Sequence, residues 1–107
     1  MLEFKLQNAA SHKITVTATA TGVLSLIDTA GSVTHSFPFD LSAVEINPED
    51  YAVRYTTDGT TPTGDNGTLI QVGEKAVIEC SPKDLRLIRD EATNAVCGIR
   101  VGWLRKR

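Results

Sequence analysis

The sequence predicts an all-β fold: a single antiparallel β-sandwich or small barrel of about seven to eight strands. Three observations carry that prediction. Several segments alternate apolar and polar residues with a period of two, which places one face of a strand inward and the other in water. Turn-forming residues separate those segments at intervals of about 8–12 residues. The chain has 107 residues, enough for one core without metals or disulfides, and one domain spanning 1–107 is expected.

Taken in order, Lys13–Ala20 alternates strictly, with Ile14, Val16, Ala18 and Ala20 expected inward and the threonines outward. Thr21-Gly22 ends it. Val23–Gly31 is ambiguous: Leu24 and Ile27 fit a helix face, Gly31 fits a helix C′ position, and a short strand fits as well. Ser32–Asp40 reads as an irregular connection anchored by Phe37 and Phe39. Leu41–Asn47 is a strand with Val44 and Ile46 inward, and Asn47–Asp50 a turn with Pro48 at its second position. Along Tyr51–Thr56, Tyr51, Val53 and Tyr55 share one face and Ala52, Arg54 and Thr56 the other. Thr63–Gly67 is a loop of residues that tolerate left-handed backbone. Thr68–Val72 and Lys75–Cys80, separated by Gly73-Glu74, are expected to form a tight hairpin. Ser81–Asp84 is a turn or a single helical turn, Leu85–Arg89 a strand and Asp90–Asn94 a turn. Ala95–Leu104 is the longest expected strand. Cys97, Ile99, Val101 and Trp103 share its inner face, while Gly98 and Gly102 suggest a close backbone approach or a bulge on the other.

Composition narrows function. The formal net charge is -2, so no nucleic-acid partner is expected. The exception, Arg105-Lys106-Arg107, reads as a solvated tail. The start, Met1–Leu6, lacks a basic head and a long apolar run, and no segment approaches the roughly 20 apolar residues that span a bilayer. Synthesis in a cytoplasm and no membrane partner are expected. A reducing compartment disfavours a bridge between Cys80 and Cys97, which read as free, buried thiols.

Catalytic chemistry is not evident. His12 and His35 have no ligand or nucleophile at a useful spacing and read as exposed loop residues. Asp58, Asp65 and Asn66 lack the spacing of a calcium loop, and turn capping accounts for both carboxylates. No cofactor, no metal site and no catalytic residue is expected.

The most specific stretch is Arg54–Thr63, which reads Arg-Tyr-Thr-Thr-Asp-Gly-Thr-Thr-Pro-Thr. Asp58-Gly59 offers positive φ, and Asp58 a carboxylate for nearby backbone N–H groups. Pro62 removes a donor, so no central strand follows at once. The turn motif is therefore Asp58, Gly59, Thr60, Thr61 and Pro62.

That phrase resembles a motif of small all-β virion structural proteins of tailed phages. The likeness extends from the Thr-rich strand near Lys13, through Gly67–Glu79 and Leu85–Arg89, to Val96–Trp103. A similar phrase resembles the β-sandwich domain appended to chitobiase-like glycosidases. Neither resemblance carries catalytic residues to this chain. The virion resemblance implies a capsid decoration or cement protein, a head-fibre base or a tail accessory. Such a protein is made in the host cytoplasm, forms a homo-oligomer, and binds the major capsid protein or another virion protein in many copies. Tyr55, Trp103, Arg105, Lys106 and Arg107 are the candidate interface. A carbohydrate-binding accessory module, or a tail or receptor-binding accessory, is the alternative.

Overall fold

The protein is described by a computed structural model covering residues 4–31, 37, 40–63 and 66–106. Eight strands form two four-stranded antiparallel sheets, as the alternation predicted. The strands are β1 (Phe4–Val16), β2 (Thr21–Gly22), β3 (Ala43–Pro48), β4 (Val53–Thr56), β5 (Thr68–Ile70), β6 (Ala76–Glu79), β7 (Arg86–Arg89) and β8 (Ala95–Lys106). One helix, α1 (Val23–Gly31), and one 3-10 turn, Pro82–Asp84, complete the regular elements of the described residues. Sheet A has the order β1-β8-β3-β6 and sheet B the order β2-β7-β4-β5.

Period-two burial builds the core. From sheet A come Ile14 and Val16 of β1, Cys97, Ile99 and Val101 of β8, and Val44 and Ile46 of β3, none more than 1% exposed. Val53, Ile70 and Leu87 meet them from sheet B, and Trp103, Tyr51 and Tyr55 pack half-buried against the same cluster. Val23-to-Gly31 resolves as a helix, because Val23, Leu26 and Ile27 bury one stripe while Ser25, Thr29 and Ala30 face water. The helix packs against β1, β2 and the 3-10 turn, closing the seam between the two sheets on that side. Phe37 also packs on the core. Phe39 and His35 lie outside the described residues.

Several expectations are corrected. β1 starts at Phe4, well before Lys13, and ends at Val16, so Ala18 and Ala20 are not core residues. The threonines there bond locally instead: Thr17 Oγ1 accepts from the Thr19 N–H at 3.2 Å, and Thr21 Oγ1 donates to the Thr19 carbonyl at 2.9 Å. That turn moves the chain from sheet A to sheet B. His12 is consequently a half-buried strand residue opposite Ile99 and not a loop residue. Pro48 is the last residue of β3, opposite Cys97, and the turn follows it.

The hairpin expected at Gly73-Glu74 does not form. β5 pairs with β4 in sheet B, and β6 pairs with β3 in sheet A. Gly73, at φ 85, donates its N–H to the Pro48 carbonyl at 3.0 Å and steers the chain across to the other sheet. The bulge suggested by the β8 glycines lies on the neighbouring strand, between Asn8 and Ala10, with Asn8 opposite Gly102. Arg105 and Lys106 are paired backbone of β8, opposite Lys5 and Phe4, rather than a frayed tail. Arg107 lies outside the described residues.

Cys80 and Cys97 are free. β3 separates their strands, and they stand near its opposite ends, since Ala43 pairs with Glu79 and Pro48 with Cys97. At about 3.3 Å per strand residue, no disulfide spans that gap. Burial first, then the Asp84 carboxylate, pushes the Cys80 thiol up to about 11. Burial, then Asp50 and Glu49, pushes Cys97 up to about 12. Both stay protonated and unreactive at neutral pH. A reductant should leave the melting curve unmoved, and Cys97→Ala should cost about 1 kcal/mol, the size of a small core truncation. A drop in melting temperature on adding reductant would reveal a bridge.

Candidate functional site

The motif Arg54–Thr63 leaves the end of β4 and folds back on it. Thr56, only 8% exposed, donates its hydroxyl to the Thr60 carbonyl at 2.6 Å. Asp58 Oδ1 accepts from the Thr60 hydroxyl at 2.6 Å and from the Thr60 N–H at 3.2 Å. The hydroxyl bond, then the backbone bond, holds the Asp58 carboxyl below its ordinary value of 3.8. That contribution is therefore complete above pH 3.8 and is lost as pH falls through the lowered folded-state value. Gly59 takes φ 80, as the Asp-Gly turn predicted, and its N–H donates to the Asp84 carbonyl at 3.0 Å. Pro62 is buried at the base of the loop.

Asn66 clamps the return. Its Oδ1 accepts from the Thr63 N–H at 2.6 Å and the Thr63 hydroxyl at 2.9 Å, and its Nδ2 donates to the Thr61 carbonyl at 3.1 Å. Two arginines then tie the loop to the body. Arg54 donates from Nε to Asp90 Oδ1 at 2.6 Å and from Nη1 to the Gly67 carbonyl at 3.0 Å. Arg86 donates to the Thr61 hydroxyl at 3.3 Å and to the Ala20 carbonyl at 2.9 Å. Charged hydrogen bonds of this kind are worth about 1–2 kcal/mol when partly shielded. Gly67 has no room for a side chain: a Cβ would stand 2.9 Å from Arg54 Cβ and 2.9 Å from the Thr63 carbonyl oxygen.

The result is a self-bonded polar turn beside an open cleft of about 360 Å³. Tyr55, Thr56, Thr57, Asp58, Thr60, Asn66 and Thr68 line it. Of the residues singled out in the sequence, Asp58, Gly59, Thr60, Thr61 and Pro62 are thus brought together, with Tyr55 beside them. Trp103 is not among them. It sits on β8 in the other sheet, half-buried against the core. Asp65 lies outside the described residues. The bracing roles of Arg54, Arg86, Asn66, Gly67 and Asp90 were not foreseen from the sequence. The signal available was weak: Arg54 and Arg86 are outward positions on alternating strands, and nothing in one sequence says that two such strands are neighbours. Among the described residues no group of three or more His, Cys, Asp or Glu is placed to hold a metal ion.

Two glycine substitutions separate strain from crowding. A Cβ at Gly59 meets nothing within 4 Å, so the main cost of Gly59→Val is the positive φ, about 1–3 kcal/mol. Gly67→Ala must push backbone aside and should lower the melting temperature by a comparable amount despite its smaller side chain. An unchanged melting temperature for either variant would contradict the loop geometry. Comparison with known proteins found no match to this chain, whether among family models, curated proteins or solved structures.

Proposed function

We propose that this chain is a phage virion structural protein that binds a capsid or tail surface in many copies and stabilises the assembly without catalysis. The observation that carries the reading is the self-bonded turn of Arg54–Thr63, whose phrase resembles those virion proteins. Polar side chains in and beside it hold its shape: Asp58 and Asn66 bond turn backbone, Arg54 the Gly67 carbonyl and Arg86 the Thr61 hydroxyl. A loop ordered before contact loses little conformational entropy on docking, which favours a repeated mechanical contact. Asp58, ionised and held low by Thr60, accepts hydrogen bonds and does not serve as a proton donor at neutral pH. The partner proposed is the major capsid protein or another virion protein, met through the turn and Tyr55, with Trp103, Arg105 and Lys106 of β8 and the following residue Arg107 as the second contact.

One observation favours a second reading, a carbohydrate-binding accessory module. The cleft pairs the half-buried Tyr55 with the hydroxyls of Thr57 and Thr68 and the carboxylate of Asp58. That is chemistry suited to a neutral sugar. A tail or receptor-binding accessory would combine both features.

The test compares shells assembled with and without the protein. A component that binds only the assembled state stabilises it by mass action. Shells carrying the protein should fail at a higher temperature, and Gly67→Ala should reduce that gain. Shells that heat, assemble and infect equally well without it would overturn the stabilising role. Saturable binding to a glycan array, lost in Asp58→Ala, would then favour the carbohydrate reading.

A further inference from the structure

Sheet A ends at β6, and among the described residues no strand pairs with its outer edge. The other three terminal strands are each shielded or short. β1 carries a bulge and is packed by α1, β2 has two residues and β5 has three. Such devices keep sheet edges from pairing with other chains. β6 shows neither a bulge nor a proline. Its outward residues, Val77 and Glu79, are exposed, as is Lys75 just before it, while Ala76 and Ile78 are half-buried against the core. Val72 and Val77, each 47% exposed, are the exposed large hydrophobic residues among those described. Val77 lies on β6 and Val72 four residues before it. Lys75 and Glu79 make no ion pair among the described residues.

The order of residues in this edge is self-complementary. Lys75-Ala-Val-Ile-Glu79 turned end for end about Val77 sets Lys75 opposite Glu79, Ala76 opposite Ile78 and Val77 opposite itself. Directly opposite residues of an antiparallel pair lie on the same face and interact. On the outer face the row becomes two matched ion pairs flanking two valines. On the inner face Ala76 and Ile78 extend the apolar layer across the junction. A two-fold contact must be complementary to itself in this way.

We propose that two copies of this chain pair antiparallel along β6 about a two-fold axis at Val77, joining their A sheets into one continuous sheet. The N–H and C=O groups of the edge, which no strand takes up among the described residues, supply the hydrogen bonds, and the charge pattern fixes the register. The pairing rests on the strand edge and not on the virion reading. In a shell it would be the contact between neighbouring copies. It is tested on purified protein alone, so its failure and the failure of that reading are distinguishable.

Charge reversal decides the matter. Lys75→Glu sets glutamate against Glu79 of the second copy, and Glu79→Lys sets lysine against Lys75. Either change turns two attractive pairs into two repulsive ones and should weaken the dimer about ten- to a hundredfold in sedimentation equilibrium. An equimolar mixture of the two single variants should dimerise again, because each chain then complements the other. The double variant Lys75→Glu/Glu79→Lys should also recover. Independently, Val77→Cys in a Cys80→Ala background should oxidise to a covalent dimer, since opposed Cα atoms lie about 4.5–5.5 Å apart. A wild-type protein that stays monomeric at its highest soluble concentration overturns the proposal. So does a dimer that neither reversal weakens, or a mixture that fails to restore it.

Discussion

The structure depends on one strand. β8 lies between β1 and β3, and its inner residues Cys97, Ile99 and Val101 are no more than 1% exposed. No disulfide helps it, because both cysteines are free. Burying a side chain of this class contributes about 1.5–3 kcal/mol, against an ordering cost of about 1–2 kcal/mol per residue. A chain this small therefore needs nearly every inward position on both sheets to be apolar and fully buried. Val44, Ile46, Val53, Ile70 and Leu87 meet that demand. The helix serves the same demand: it packs on β1 of one sheet and β2 of the other and buries Val23, Leu26 and Ile27.

Polar residues act within that frame. Glu45, 8% exposed on the outer face of β3, stands opposite Arg100 of β8, whose guanidinium reaches both carboxylate oxygens at 3.5 Å. Lys13 pairs with Glu49 at 3.3 Å in a more exposed setting, where an ion pair is worth little. The loop brackets differ in kind. Arg54 links β4 to the turn before β8, and Arg86 links β7 to the turn before β2. Arg54 also holds Gly67 to β4, and Arg86 holds Thr61 to β7, the central pair of strands in sheet B. The packed sheet thus anchors the polar turn through Thr61 and Gly67, and that connects the core to the proposed binding role.

Much of the fold was legible because burial repeats every second residue. Ile14, Val16, Val44, Ile46, Cys97, Ile99 and Val101 all fall on the predicted inner faces. The Asp58-Gly59 turn was legible because its backbone conformation has few chemical solutions. What failed was partner choice. Thr68–Val72 and Lys75–Cys80 look like a hairpin because local turn chemistry is the same for a hairpin and for a crossing between sheets. The difference lies in the Gly73 bond to Pro48, which is distant in sequence. The Thr-rich segment failed similarly, since threonine suits both a wet strand face and a turn that bonds its own backbone. In the candidate site, the hydroxyls and the turn were readable. Arg54, Arg86 and Asp90, which hold them, were not, because their pairing depends on strand order.

The central claim is that residues 56–63 and 66–67 are an ordered part of the scaffold before any partner arrives. Native-state hydrogen exchange of their amides measures this directly. The Gly59, Thr60, Thr63 and Gly67 N–H groups all donate within the protein, to the Asp84 carbonyl, Asp58, Asn66 and the Thr63 carbonyl respectively. They should exchange slowly, with protection that falls together when Arg54 is replaced by alanine. Exchange of these amides at the rate of an unstructured peptide, while β8 remains protected, would contradict the account.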